Sequence, residues 1–248
     1  YLSILIFRKG HTMNQVIFKI DKNIKIAAAT YKMTLIGDTS EIQRPGQFVN
    51  FELDGFYLRR PISVCDFDDK TLTVIYKVIG KGTEYMSNMK IGDTIDTLCG
   101  LGNGYNPNTS GDSPVLIGGG VGVPPLYNLC KVLISQGKSP SVILGFNTAE
   151  EVFYADEFKE LGAEVYIATA DGSVGTKGFV TDVLDKISYT YYYACGPEPM
   201  FKAINKIAKT SGQLSFESRM GCGFGACMGC SCKTLTGYKR ICKEGPVM

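Results

Sequence analysis

Val115-Leu116-Ile117-Gly118-Gly119-Gly120-Val121-Gly122-Val123-Pro124-Pro125 is the stretch on which the fold turns. A short apolar strand runs into clustered glycines. Leu126, Leu129, Cys130 and Leu133 then recur at helical spacing up to Gly137. Strand, glycine turn and helix in that order form an anion cradle, because unpaired N–H groups and the positive end of the helix meet where a phosphate would sit. Val123 occupies the place of the third small residue of G-x-G-x-x-G, and a merely tight strand–helix turn is the alternative reading. Asn147, rather than an acid, ends the second strand, so the nucleotide must be gripped differently. No arginine stands near Asn147-Thr148 to meet a 2′-phosphate, which favours NAD over NADP.

Downstream the same rhythm continues. Strands are expected at Val142–Phe146, Glu164–Thr169, Tyr191–Cys195 and Leu214–Phe216, with helices around Asp156–Leu161, Phe179–Ile187 and Pro199–Thr210. Such alternation predicts a doubly wound parallel sheet over residues 114–213. Upstream the period changes to two. Val16, Phe18 and Ile20 alternate, as do Tyr31, Met33 and Leu35; Phe48–Leu53, Tyr57–Val64, Leu72–Val78 and Thr94–Leu98 follow. Short strands at this spacing predict a small antiparallel β-barrel over residues 13–102, with Thr83–Met89 as its helix. Residues 103–113, rich in Gly, Asn, Ser and Pro, read as a linker.

The barrel carries a second anion site in outline. Arg59-Arg60-Pro61-Ile62-Ser63 offers guanidinium forks and a hydroxyl, and Gly80-Lys81-Gly82-Thr83 opens the barrel's helix. Each motif alone reads as a solvated charge pair or a turn. Together they suggest a cradle for a second dinucleotide.

Beyond the sheet, residues 214–248 form a separate segment. Cys222, Cys227 and Cys230 are spaced C-x₄-C-x₂-C, and Cys242 follows, which is the plant-type [2Fe–2S] pattern. The interleaved glycines let backbone N–H groups approach the sulfurs. A structural zinc site would want two matched cysteine pairs, and here the second is split. Disulfides do not suit a chain with nine clustered cysteines and no secretory signal, and a Cys227–Cys230 dithiol lacks the fold such motifs need. Cys232 stands close enough to replace Cys230 as the third ligand; the two-residue interval favours Cys230.

Composition narrows the field further. A net charge of +2 over 248 residues argues for neither nucleic acid nor anionic membrane as partner, and no apolar run reaches the length of a spanning helix. The free cysteines suggest a reducing, cytoplasmic setting. Tyr1–Thr12 reads as a leader foreign to the fold, with Met13 as the start, and the chain reads as cut short after Met248. His11, the only histidine, falls in that leader, so no imidazole-based catalysis is expected and no catalytic acid or base is assigned.

A barrel with Arg60-Pro61-Ile62-Ser63 and Gly82-Thr83, then a nucleotide domain with Gly118–Pro125 and Cys195-Gly196-Pro197-Glu198-Pro199-Met200, resembles the ferredoxin–NADP reductase superfamily. With the cysteine-rich tail, essentially the whole chain is similar to the electron-transfer subunits of NAD-dependent (class 1B) dihydroorotate dehydrogenases. The resemblance implies FAD between the domains, against Arg60, Pro61, Ile62, Ser63, Ile75, Tyr76, Lys77, Gly82 and Thr83. It implies NAD on Gly118, Gly119, Gly120, Gly122, Cys195, Gly196 and Pro197, and a [2Fe–2S] cluster on Cys222, Cys227, Cys230 and Cys242. It also implies a partner, an FMN-containing dihydroorotate dehydrogenase catalytic subunit, in a heterotetramer of two of each. In that relay electrons pass from dihydroorotate through the cluster and FAD to NAD⁺, a step of pyrimidine biosynthesis. A related FAD/[2Fe–2S] subunit of another NAD(P)H oxidoreductase, and a non-enzymatic metal-binding or redox-sensing module, are the competing readings.

Overall fold

The computed structural model describes residues 14–248; the leader with His11, and Met13, lie outside the described residues. Six strands, β1 (Asn14–Ala27), β2 (Thr30–Ile36), β3 (Phe48–Phe51), β4 (Arg60–Phe67), β5 (Thr71–Lys77) and β6 (Thr94–Leu101), close into an antiparallel barrel of order β1-β2-β5-β4-β3-β6. The period-two pattern fills its interior. Phe18, Met33, Leu35, Leu72 and Val74 are wholly buried and pack together, each contributing on the order of 1.5–3 kcal/mol through lost water contact. The barrel's helix is α1 (Lys81–Asn88), whose Met86 plugs one end.

One strand starts later than its sequence suggests. Tyr57 is fully exposed in the turn before β4, which begins at Arg60. Aromatic and apolar character at Tyr57 and Leu58 imitated a strand, whereas the turn after Asp54-Gly55 keeps these residues out of the ladder.

The second layer is a six-stranded sheet, all neighbours parallel, made of β7 (Val115–Gly119), β8 (Ser141–Phe146), β9 (Glu164–Thr169), β10 (Thr176–Lys177), β11 (Tyr192–Cys195) and β12 (Gly212–Ser215) in the order β10-β9-β8-β7-β11-β12. Helices α2 (Pro124–Ser135), α3 (Ala155–Glu160), α4 (Val180–Leu184) and α5 (Glu198–Ile207) connect the strands. The prolines open α2 where no N–H bond is required. It stops at Gly137, with Gly137 N–H donating to Ile134 O and Lys138 N–H to Leu133 O, a Schellman ending. Strand order reverses between β7 and β11, so the crevice beyond their C-terminal ends is where this architecture takes ligands.

Residues 103–113 are less free than a linker. Tyr105 is fully buried and its hydroxyl donates to Ala194 O, while Asn103 Nδ2 donates to Glu244 O and Val247 O. Polar groups of this stretch are held in internal hydrogen bonds. The barrel is also tied to the sheet directly: Asp66 of β4 accepts from Asn128 and Lys131 of α2, and Lys77 of β5 pairs with Glu151 beyond β8. Two short strands not expected from sequence, β13 (Ser231–Thr234) and β14 (Gly237–Arg240), make a hairpin in the tail. The last residues return to β12, where Leu214 and Met248 exchange backbone bonds. No helix among the described residues is long and apolar enough to cross a membrane.

Candidate functional site: two clefts and a cysteine loop

A cleft of about 540 Å³ lies where the barrel faces the sheet, and Pro61, Ile62, Ser63, Ile75, Tyr76, Lys77 and Thr83 all line it. Cys195 closes it from the sheet side, Phe48 from the barrel, and Glu217 and Met220 from the tail. Arg60 and Gly82, expected with them, stand apart from this lining and against each other. A side chain at Gly82 would place its Cβ 2.2 Å from Arg60 Nε, so the glycine is what lets the arginine lie across the start of α1. There its guanidinium covers the Phe56 ring at 4.9 Å and donates to Leu58 O. Arg59 does not share the anion role suggested for the pair. It is bound by Asp96, Glu52 and the carbonyl of Asn50 inside the barrel wall. Thr83 Oγ1 accepts from the N–H groups of Ile79 and Gly80 and donates to Gly80 O, which fixes the turn entering α1.

The second cleft, also about 540 Å³, opens at the strand-order reversal, lined by Gly119, Gly120 and Val121 after β7 and by Pro197, Pro199 and Met200 after β11. Gly122 is the tightest point of this junction. A Cβ there would stand 2.1 Å from the carbonyl oxygen of Cys195, so only glycine allows the two loops to touch. Gly118 supports the cleft from behind, since its own Cβ would meet Val123 at 2.7 Å. Gly196 lies on the far side, facing a groove toward the β13–β14 hairpin. The two clefts adjoin, with Lys77, Val121 and Glu217 in the walls of both.

Three residues of these clefts were not foreseen. Glu151 brings a carboxylate close to position 147: its Oε2 accepts from both the N–H and the Nδ2 of Asn147, and its Oε1 from Lys77. The side-chain bond from Lys77 and the Asn147 donors hold its carboxyl below the usual value. Ala149-Glu150-Glu151 directly after a strand was the available signal. Phe179, 69 % exposed, presents an apolar ring to the nucleotide cleft. Glu217 sits at the junction of both clefts. It is open to them but walled by protein, and this partial desolvation raises its carboxyl.

In the tail, the sulfurs of Cys230 and Cys242 lie 3.2 Å apart, buried, and the Cys242 N–H reaches Cys230 Sγ at 3.4 Å. Ala226 and Cys227 donate their N–H groups to Cys222 Sγ at 3.3 and 3.4 Å, and Gly229 donates to Cys227 Sγ at 3.5 Å. Burial opposes ionisation of Cys222, but these donors outweigh it and hold the thiol down to about 6. Cys242 is pushed up to about 12, by burial and by the neighbouring Cys230. Cys232, half-buried, packs at the edge of the same small core and also lines the groove toward the hairpin, but no bond joins its sulfur to Cys242. Among the described residues no three His, Cys, Asp or Glu side chains gather about a single point. A mononuclear site would need that, whereas a dinuclear cluster takes its thiolates as two pairs, one per iron. Sulfur-directed N–H groups and a thiolate held ionised are the environment such a cluster requires. The buried pair Cys230 and Cys242 packs with Phe48 and Leu101 of the barrel, and Met220 lies against them. Phe48 and Met220 also line the interdomain cleft, so one side chain's thickness separates the cysteine pair from it.

Comparison with known proteins agrees with this layout. Residues 217–248 match the iron–sulfur cluster binding domain of dihydroorotate dehydrogenase B, and residues 116–206 match the oxidoreductase NAD-binding domain. The chain is 46 % identical over 244 residues to the dihydroorotate dehydrogenase B (NAD(+)) electron transfer subunit of Fusobacterium nucleatum, covering 92 % of this chain and 94 % of that one. It belongs to that family of electron-transfer subunits. The family's Geobacillus sp. member is 45 % identical over 249 residues, covering 95 % and 96 %. A chain from the structure of an NADH-dependent reduced ferredoxin-NADP oxidoreductase, studied for flavin-based electron bifurcation, superposes with a TM-score of 0.84 at 32 % identity, covering 93 % of this chain and 87 % of that one. Barrel, parallel sheet and cysteine tail therefore occur together in the family as they do here.

Proposed function

We propose that this chain carries electrons from a dihydroorotate-oxidising, FMN-bearing catalytic subunit, through a [2Fe–2S] cluster and FAD, to NAD⁺ in pyrimidine biosynthesis. The observation that carries the reading is the shared wall of Phe48 and Met220 between the cysteine pair and the interdomain cleft, together with the walls that this cleft shares with the nucleotide cleft. Groups held in these adjoining clefts and on the cysteine pair would have little protein between them. FAD and the cluster, when bound, supply the exchange between single electrons and a hydride; that chemistry is theirs.

The protein supplies position. Pro61–Ser63, Ile75–Lys77 and Thr83 would hold the flavin in the interdomain cleft, with Arg60 and Gly82 at its rim for the diphosphate. Gly118–Gly122 with Cys195-Gly196-Pro197 would seat the nicotinamide nucleotide so that it meets the flavin beside Val121 and Glu217. Cys222, Cys227, Cys230 and Cys242 would hold the irons; pairing of Cys230 with Cys242 supports Cys230 over Cys232 as ligand. The functional units in this reading are 13–102 for flavin, 114–213 for nucleotide and 214–248 for the cluster, joined through 103–113. Phe224 and Met228 on the cysteine loop and Leu235 and Tyr238 of the hairpin are exposed apolar side chains, suited to docking of the catalytic subunit, as two copies of each chain. Nine free thiols fit a reducing, cytoplasmic setting.

Co-expression with an FMN-bearing dihydroorotate dehydrogenase subunit tests the reading. Co-purification and dihydroorotate-dependent NADH formation are expected. A yellow, iron-loaded protein that binds no such subunit and instead exchanges electrons between NADH, NADP⁺ and ferredoxin would place it with the oxidoreductase whose chain it superposes on at 32 % identity.

A further inference from the structure

We infer that Arg240 sets the electron affinity of the cluster by gripping one peptide of the cysteine loop from behind. The inference rests on the cluster reading above. The peptide joins Gly225 to Ala226. Its carbonyl accepts from Arg240 Nη1 at 2.8 Å, and its N–H, on the opposite edge, donates to Cys222 Sγ at 3.3 Å. In a planar trans peptide these two groups point opposite ways, so fixing the carbonyl fixes the aim of the N–H. A charged donor on the carbonyl also polarises the N–H and strengthens its bond to sulfur.

Arg240 is itself held rigidly. Its Nε lies 3.1 and 3.0 Å from the two carboxylate oxygens of Glu244, Nη2 also binds that carboxylate, and its backbone N–H donates to Glu244 Oε2 at 2.7 Å. Only Nη1 is directed at the loop. The loop passes close under its clamp: Gly225 has φ of +94°, and a Cβ there would stand 2.6 Å from Lys243 Cδ and 3.3 Å from Arg240 Nη1, so glycine is needed for the approach. From the barrel side, Asn50 Nδ2 reaches the carbonyl of Cys222 at 3.3 Å, so the loop is held at both faces. The hydrogen bonds of the Arg240 side chain go to Glu244 and Gly225 and none goes to a cysteine sulfur, which makes it a positioning residue. N–H···S bonds stabilise the more negative, reduced cluster, and weakening one lowers its potential.

The test compares Arg240→Gln, Arg240→Lys and Glu244→Gln in the anaerobically prepared full chain, by redox titration of cluster and flavin and by pulsed EPR of exchangeable protons on the reduced cluster. Arg240→Gln is expected to lower the cluster potential and to weaken the largest exchangeable proton coupling, while the flavin potential stays fixed. Arg240→Lys, which keeps the charge but loses the fork held by Glu244, should fall most of the way to the glutamine variant, and Glu244→Gln should shift less in the same direction. An Arg240→Gln protein with full iron and unchanged potential overturns the inference. So does an Arg240→Lys protein indistinguishable from wild type, since charge alone would then account for the effect. If Arg240→Gln retains no iron, an unchanged potential in both other variants overturns it equally. Wild-type protein without iron or labile sulfide would sink the cluster reading instead.

Discussion

The barrel and the cysteine tail sit side by side and are held together by different forces. The barrel closes around wholly buried side chains such as Phe18, Met33 and Leu72, and needs nothing beyond its own sequence to bury them. The tail gathers a small core of Cys230, Ile241 and Cys242, and completes it only by borrowing Phe48 and Leu101 from the barrel. Its remaining order comes from hydrogen bonds: the β13–β14 ladder, the return of Met248 to Leu214, and polar clamps such as Arg240 with Glu244 and Asn50 with Cys222. A segment this short buries too little apolar surface to stand alone, so metal and barrel must make up the difference. The contrast teaches that the flavin end of the relay is built on packing and the iron end on ligation.

Cys242→Ser should break the contrast most sharply. Iron and labile sulfide are expected to be almost wholly lost and the tail to become open to limited proteolysis, while flavin and the barrel's melting transition remain. A tail that stays protease-resistant without iron would show its core to be self-sufficient. Leu72→Ala probes the other side: deleting a fully buried barrel side chain should cost about 2–5 kcal/mol in denaturant unfolding. Between the two lies Gly122→Ala, whose Cβ meets the Cys195 carbonyl. It is expected to cost roughly 1–3 kcal/mol and to weaken NADH binding in a fluorescence titration while leaving iron content unchanged.

Two smaller effects sharpen the picture through pH. In iron-free protein, alkylation followed by mass spectrometry should mark Cys222 well ahead of Cys242 at pH 7. Cys222 is a thiolate above about 6 and its labelling should fall as pH drops through that value, whereas Cys242 is held near 12. For Glu217 the raised carboxyl means that the folded state disfavours its charge. This loss of stability is present at neutral pH and disappears below the ordinary carboxylate value of 4.5. Glu217→Gln should therefore raise the melting temperature slightly at pH 7 and leave it unchanged near pH 4.

The sequence by itself determined what depends on local pattern. Alternation over Val16–Ile20 and Tyr31–Leu35 specified barrel strands, the Ile117–Leu133 run specified a strand, glycine turn and helix, and C-x₄-C-x₂-C put three cysteines within nine residues of each other ahead of β13. Periodicity and spacing are properties of neighbours, and neighbours are what a linear chain records. Tertiary structure alone decided which distant groups meet. It brought Glu151 to Lys77, placed Glu217 where two clefts adjoin, and consumed Arg59 in the barrel wall. It set Phe48 between the cysteine pair and the interdomain cleft, a partnership 182 residues apart for Cys230, which follows from barrel closure rather than from anything near either residue. Aromatic Tyr57 misled for the same reason: whether an apolar side chain is buried is decided by the packing around it, and the turn before Arg60 leaves it in water.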